Sequence, residues 1–430
     1  MKRTTFLCLA ALLIATALPA AAQKFKPKTI QFKGATAYSD QELMAAADLK
    51  PGVVLSSAEM NDHAKRLMDS GVFDNITFKF DGLDLIFSLI PNATLFPLRL
   101  ENIPLATGPE LDAKLHDRLP LYHGKVPSDG GLLDDVKAAL TDMLAAQGIK
   151  ATIAATPYID SARPAVTAIN LAITDLPVRV GKIQLDGISP AIRSKVEDIA
   201  RHAVSTAYST ENSAGNLERA LAVFYGDEGY AAVRIHATQA GNPEAGEEAI
   251  TVPFRVAIEE GKHYTLGAIR LPSGEQLNLA EINKAAGTAT NKVEVAMSIK
   301  GGLTLRTALL YVNGQYKSKG YMDCVVTPHP EFDDAAGIVN YTLEVKPGQV
   351  YVMGKLKIMN TADDLRDAMI AAWKLPAGAV FDESAIQTYY HSQGNTPLGR
   401  TFATANCRYK LTRYGDTGTV DVELRLERKE

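Results

Sequence analysis

The sequence predicts an α+β fold: five tandem β-α-α-β-β modules, each two helices on a small three-stranded mixed sheet. Three observations predict it. One phrase occurs twice, as Gly261-Lys-His-Tyr264-Thr-Leu-Gly267-Ala-Ile269 and Gly348-Gln-Val-Tyr351-Val-Met-Gly354-Lys-Leu356, with the pattern G-x-x-Y-x-x-G-x-[IL]. Each copy closes one unit and opens the next, as in a repeat array. A second signal, an apolar residue followed four positions later by glycine, ends a helical stretch five times, at Gly71, Gly148, Gly229, Gly320 and Gly394. Glycine behind a helix takes the left-handed conformation cheaply, and the apolar residue after it (Tyr230 or Tyr321, for example) folds back as a cap. The third signal is strict alternation in the segments behind these glycines, which gives strands with one buried and one wet face.

The elements follow in order. Module 1 opens with a strand at Thr29–Gly34. A first helix starts from Ser39, with Glu42 completing a capping box, and a second runs from about Ser57 to Ser70 behind a weak cap. Its hairpin joins Ile76–Phe80 to Leu85–Leu89 around Asp81-Gly82, a strong turn signal. Module 2 opens at Leu98-Arg-Leu100 without the usual glycine. Module 3 has a strand at Ile183–Leu185, helices at Glu197–Ala203 and Leu217–Tyr225, and strands at Ala232–Ile235 and Val252–Ile258. Asn242–Glu248 between these strands reads as a flexible loop. Module 4 has strands at Val325-Val326 and Val339–Val345. Module 5 has a strand at Leu356–Ile358, helices at Asp364–Ala372 and Glu383–His391, and strands at Asn406–Leu411 and Val420–Leu426. The expected boundaries are 25–92, 96–176, 178–260, 263–347 and 350–428.

Composition bounds the function. With 46% hydrophobic and 22% charged residues the chain is an ordinary globular one, and at 430 residues it exceeds a single core. A net charge of −4 gives no support to nucleic-acid binding, which requires a basic face. Residues 1–22 read as a signal peptide: Lys2 and Arg3, an apolar stretch from Phe6 to Leu18, and Ala20-Ala21-Ala22 before Gln23. An exported, periplasmic chain associated with the outer membrane is expected, with no transmembrane segment once the leader is cut. Cys324 and Cys407 then remain, either as a disulfide or as two buried thiols.

No catalytic constellation stands out, and neither metal nor cofactor is expected. His116 and His123 are the closest notable histidine pair and read as exposed loop or helix residues. Glu331-Phe-Asp333-Asp334 lacks the twelve-residue calcium loop and reads as a solvated turn. Gly301-Gly302 has no Lys-Ser/Thr partner for a phosphate loop. Tyr225, Tyr230, Tyr264, Tyr316, Tyr321 and Tyr351 sit at cap and junction positions and read as packing residues.

The β-α-α-β-β unit with a glycine-aromatic cap, and a V-x-x-G-x-x-Y junction carried with varied spacing by Val256–Tyr264 and Val345–Tyr351, resembles the POTRA (polypeptide-transport-associated) domain. The structural positions of that motif are Gly71, Gly148, Gly229, Tyr230, Gly261, Tyr264, Gly267, Gly320, Tyr321, Gly348, Tyr351 and Gly354. The resemblance extends over roughly residues 25–428 and is similar to the periplasmic part of the outer-membrane barrel-assembly and translocation family. It implies a docking scaffold or holdase for barrel-assembly or translocation proteins and unfolded barrel precursors. The chain ends behind the last strand, so only holding and docking carry over, beside a separate barrel protein. Partners would add as strands to sheet edges, with the second strand as the edge: Ile76 and Phe78, Val233 and Ile235, Val325 and Val326. A passive envelope spacer with one fixed protein partner is the alternative reading, and an envelope enzyme with a site assembled between modules a remoter one.

Overall fold

The computed structural model of the chain describes residues 24–81, 83–159, 165–280, 282, 301–394 and 396–428. The expected signal peptide lies outside them, as does Gly82 of the first hairpin. Two compact units divide the chain, each considered by itself. The first is Met1–Arg179 with Ala207–Glu211 and Asn242–Val252; the second is Val180–Thr206 with Asn212–Gly241 and Pro253–Glu430.

Five sheets share one strand order. The last strand takes the centre, with the opening strand on one side, parallel to it in modules 1, 2, 4 and 5, and the middle strand in sequence antiparallel on the other. In module 1 the order is Thr29–Lys33, Asp84–Pro91, Phe73–Asp81; in module 4 it is Thr265–Arg270, Ile338–Lys346, Val325–Asp333. Modules 2, 3 and 5 repeat it, with Phe96–Leu100, Val178–Asp186 and Val352–Met359 as opening strands. Each central strand carries the alternation read from the sequence: Val339, Tyr341 and Leu343 are buried in module 4, and Val420, Val422, Leu424 and Leu426 in module 5. These residues meet the helices to form separate cores, one around Tyr264, Ile269 and Val312, another around Phe381, Ile386, Tyr389 and Phe402.

Helix starts follow local chemistry. Ser39 and Glu42 form the expected capping box at Asp40–Ala47. The second helix, Ser57–Asp69, is also fully boxed, with Ser56 rather than Ser57 as its cap and Glu59 closing it. All five cap glycines have left-handed backbones, with φ of 76°, 84°, 90°, 86° and 51° from Gly71 to Gly394. Three caps close with the six-residue bond of a Schellman motif: the N–H groups of Ile149, Tyr230 and Tyr321 donate to Leu144, Tyr225 and Tyr316. Tyr225 and Tyr230 meet edge to face at 5.6 Å, so these tyrosines do pack the cap.

Several elements differ from expectation. The module 4 edge strand continues from Val325 to Asp333 instead of stopping at Val326, because its prolines sit where no ladder bond is lost; Glu331–Asp333 is therefore strand, not turn. In module 3, Glu244–Ala245 pairs with Ile250–Thr251, which gives the expected flexible loop a short strand. In module 5 a helix, Pro397–Thr404, intervenes between the cap glycine and the edge strand Ala405–Tyr414. Thr396 caps it through the Gly399 N–H, with proline at its start. Cys324 is buried and Cys407 half-buried, and both are thiols.

Candidate partner-binding strand edges

Within the second unit the repeated phrase builds a joint. The carbonyl of cap Gly229 accepts the N–H of Tyr264 at 2.8 Å, and that of Gly320 accepts the N–H of Tyr351 at 2.8 Å. The chain thus passes directly over the preceding cap. A Cβ on Gly320 would lie 2.9 Å from the Tyr351 carbonyl oxygen and 2.8 Å from Val380, too close for either. Each tyrosine hydroxyl donates to an aspartate, Tyr264 to Asp334 at 2.6 Å and Tyr351 to Asp323 at 2.5 Å. These bonds hold the Asp334 carboxyl below the usual carboxylate range and push both phenols up.

The second glycine of the phrase sits in a bulge. Register slips between Leu266 and Ile269 and between Met353 and Leu356. Asn340 Oδ1 and Asp421 Oδ1 fill the gaps, each accepting a backbone N–H at 2.7 Å, from Ala268 and Lys355. A side chain on Gly267 or Gly354 would collide with those oxygens. Gly261 and Gly348 have positive φ. Two further contacts tie modules 3 and 4: Arg306 grips Asp227 with two bonds of 2.7 and 3.0 Å, and Gly302 lies against the backbone of Gly226.

The opening-strand edges of modules 2 to 5 are closed by the loop between the two helices or the turn that follows the strand. Lys125–Val126 pairs with Phe96–Pro97 in module 2. Thr206 O accepts from Val180 N–H in module 3, Leu277 N–H donates to Ile269 in module 4, and Met353 N–H donates to Ala379 in module 5. The other edge, formed by the middle strand, is where the modules diverge.

Peptide groups along a central strand face its two neighbours in turn, so one known bond fixes which residues of the edge strand turn outward. In module 1 Lys28 N–H donates to Leu83 O, so Asp84, Ile86 and Ser88 face the edge strand and bond Asp81, Lys79 and Thr77. Ile76, Phe78 and Phe80 therefore direct N–H and C=O away from the sheet. In module 5 Val352 N–H donates to Gly418 O, which by the same argument turns Tyr409, Leu411 and Arg413 outward. Neither strand contains proline.

The remaining three edges are blunted. In module 4 Thr265 N–H donates to Gly337 O, so Val326, Pro328, Pro330 and Phe332 face outward. Two of these four positions have no N–H to offer, a known way to protect an edge. Val325 faces inward, paired with Lys346, and is not an edge donor as expected. In module 2 Thr174 N–H donates to Thr152 O, which turns Pro157 outward. In module 3 the strand is Arg234–Gln239, so Val233 lies before it, its N–H held by Tyr230 O at 3.2 Å in the cap turn. Ile235 does face outward, but the next outward group, Ala237 N–H, donates to Glu218 of the module's own helix at 2.8 Å.

The first of these edges belongs to a recognisable domain type. Residues 26–90 match the family model described as POTRA, surface antigen variable number repeat. The first module is a POTRA domain. No curated protein matches the chain. Among solved structures, it is similar to POTRA domains 3–5 of BamA from Haemophilus influenzae, at 14% identity and a TM-score of 0.38, over 58% of this chain and 96% of that one. It is also similar to the N-terminal domain of Omp85 from Thermosynechococcus elongatus (14% identity, TM-score 0.19, 60% of this chain and 100% of that one). CdiB from Acinetobacter baumannii matches at 17% identity and a TM-score of 0.18, over 40% of this chain and 31% of that one. Such low scores carry no argument; the likeness of modules 2 to 5 to the first POTRA domain rests on their shared strand order. Among the described residues no helix is long and apolar enough to cross a membrane.

Proposed function

We propose that this chain is a periplasmic docking scaffold and holdase that takes up unfolded outer-membrane protein chains, or their assembly partners, as added strands in outer-membrane protein assembly or secretion. The observation that supports it is the uneven treatment of the five edges. Pairing through backbone groups tolerates many sequences, which suits a receptor for varied clients. The edges of modules 1 and 5 keep a proline-free row of outward groups, and these are the client sites. In this reading Ile76 and Phe78 are client positions, Val233 and Val325 are not, because their N–H groups face inward or into the cap turn, and Ile235 and Val326 sit on edges partly occupied or blunted.

In this reading modules 2, 3 and 4, spanning 96–176, 178–260 and 263–347, take up no client strand. The alternative, a passive envelope spacer that binds one fixed protein partner, would use none of the edges for unfolded clients. The role is non-catalytic and calls on no cofactor for holding. Each edge binds weakly, and two on one chain gain through effective concentration.

The test is fluorescence anisotropy with an extended peptide of alternating hydrophobic residues and the same peptide N-methylated at every second residue. The plain peptide is expected to bind at least tenfold more tightly than the one whose methyls fall on the pairing side. Equal affinity for both would show that side chains alone hold the client and would end the strand-addition reading.

A further inference from the structure

His116 and His123, the histidine pair whose sequence context suggests exposed loop or helix residues, converge on Glu42 in the first unit. His116 stands on the module 2 helix Pro109–Arg118, His123 in the loop that follows, and Glu42 in the first turn of the first module 1 helix. Their Nε2 atoms lie 3.3 and 3.0 Å from one oxygen, Glu42 Oε1. The three donor atoms all fall within 4.8 Å of one another.

Each ligand is held by a second contact. Glu42 Oε2 accepts from Ser39 N–H at 2.6 Å and from its hydroxyl at 2.8 Å, which leaves Oε1 turned to the histidines. The His123 ring packs on Tyr38 with centroids 4.7 Å apart. His116 Nδ1 lies 2.9 Å from the Tyr122 carbonyl, which can only accept, so the ring proton sits on Nδ1. This second contact is the kind that orients metal-bound histidines. In the neutral ring it turns the Nε2 lone pair towards a carboxylate oxygen 3.3 Å away, so two acceptors approach each other. Such a pair calls for a cation.

We propose that Glu42, His116 and His123 bind one divalent transition-metal ion, zinc by the chemistry of the donors, and so clamp module 1 to module 2. Two imidazoles and a carboxylate are a common zinc set, and tetrahedral bond lengths place ligand atoms about 3.3–3.5 Å apart. The side chain of His123 is 37% exposed, so a solvent molecule has access to the fourth position. Bound metal stabilises the joint by mass action.

The experiment uses the untagged full chain. Calorimetric titration with Zn²⁺ should give one ion per chain, and Co²⁺ should give the visible absorption of a nitrogen-oxygen site. In His116→Gln/His123→Gln that site should be lost. In Glu42→Gln, where glutamine still completes the capping box, the affinity should fall at least tenfold with the fold intact. Absence of binding, binding unchanged in the variants, or a thiolate charge-transfer band in the Co²⁺ spectrum would overturn the proposal. So would stabilisation by acid alone that vanishes in the double histidine variant, because a proton would then be the cation.

Discussion

Gly320→Ala is expected to destabilise the second unit by about 3 kcal/mol, against about 1 kcal/mol for Gly378→Ala. Both glycines have left-handed backbones, with φ of 86° and 83°, and a Cβ in that region costs roughly 1–2 kcal/mol. Around Gly378 there is open space, whereas at Gly320 the methyl would press on the Tyr351 carbonyl and Val380. Overpacking against backbone adds roughly 1–3 kcal/mol. Urea unfolding followed by the fluorescence of Trp373, the chain's one tryptophan, reports both changes from module 5, whose Tyr351 and Val380 face Gly320 across the joint. Equal losses at the two positions would mean that the joint yields freely, and that the recurring phrase does not lock one module onto the next.

The second large effect concerns the edges. Ile76→Pro combined with Tyr409→Pro should lower peptide affinity about tenfold, because each removes one outward N–H worth roughly 0.5–1.5 kcal/mol. Neither substitution interrupts the ladder behind it. Lys410→Pro is the contrast: Lys410 bonds inward to Glu423, so it should lower thermal stability instead. The reciprocal change, Pro328→Thr with Pro330→Thr, returns two donors to the module 4 edge and should add a binding site or cause self-association. If the double proline variant folds and binds peptide as tightly as the unaltered chain, clients do not use these edges.

The module order was legible because its signals are local. A left-handed glycine, an apolar residue behind it and period-two alternation each report their own backbone, and all five glycines take the left-handed conformation. Edge orientation was not legible, since it depends on pairing between residues distant in the chain. Val233 looked like a strand residue, yet the cap turn uses its N–H, and the strand begins one residue later. Pro328 and Pro330 stand just beyond the expected end of the module 4 edge strand at Val326. Spaced by two, both fall on the outward side, so the ladder survives and the prolines become the protection. The sequence predicts a strand at Asn406–Leu411 within the observed Ala405–Tyr414 edge, and its lack of proline is the available sign of an open site. Thr396-Pro397 was likewise a readable start for the extra helix. Nothing local links Glu42 to His116 and His123; the packing of two modules alone brings them together.

The most direct test of the client sites is photo-crosslinking in cells from three exposed positions, Thr77 and Lys410 beside the open edges and Thr327 on the blunted one. Capture of a range of outer-membrane protein precursors at Thr77 and Lys410, with little at Thr327, is the predicted result. A single stoichiometric envelope protein at all three positions, without precursors, would contradict it and make the chain a spacer.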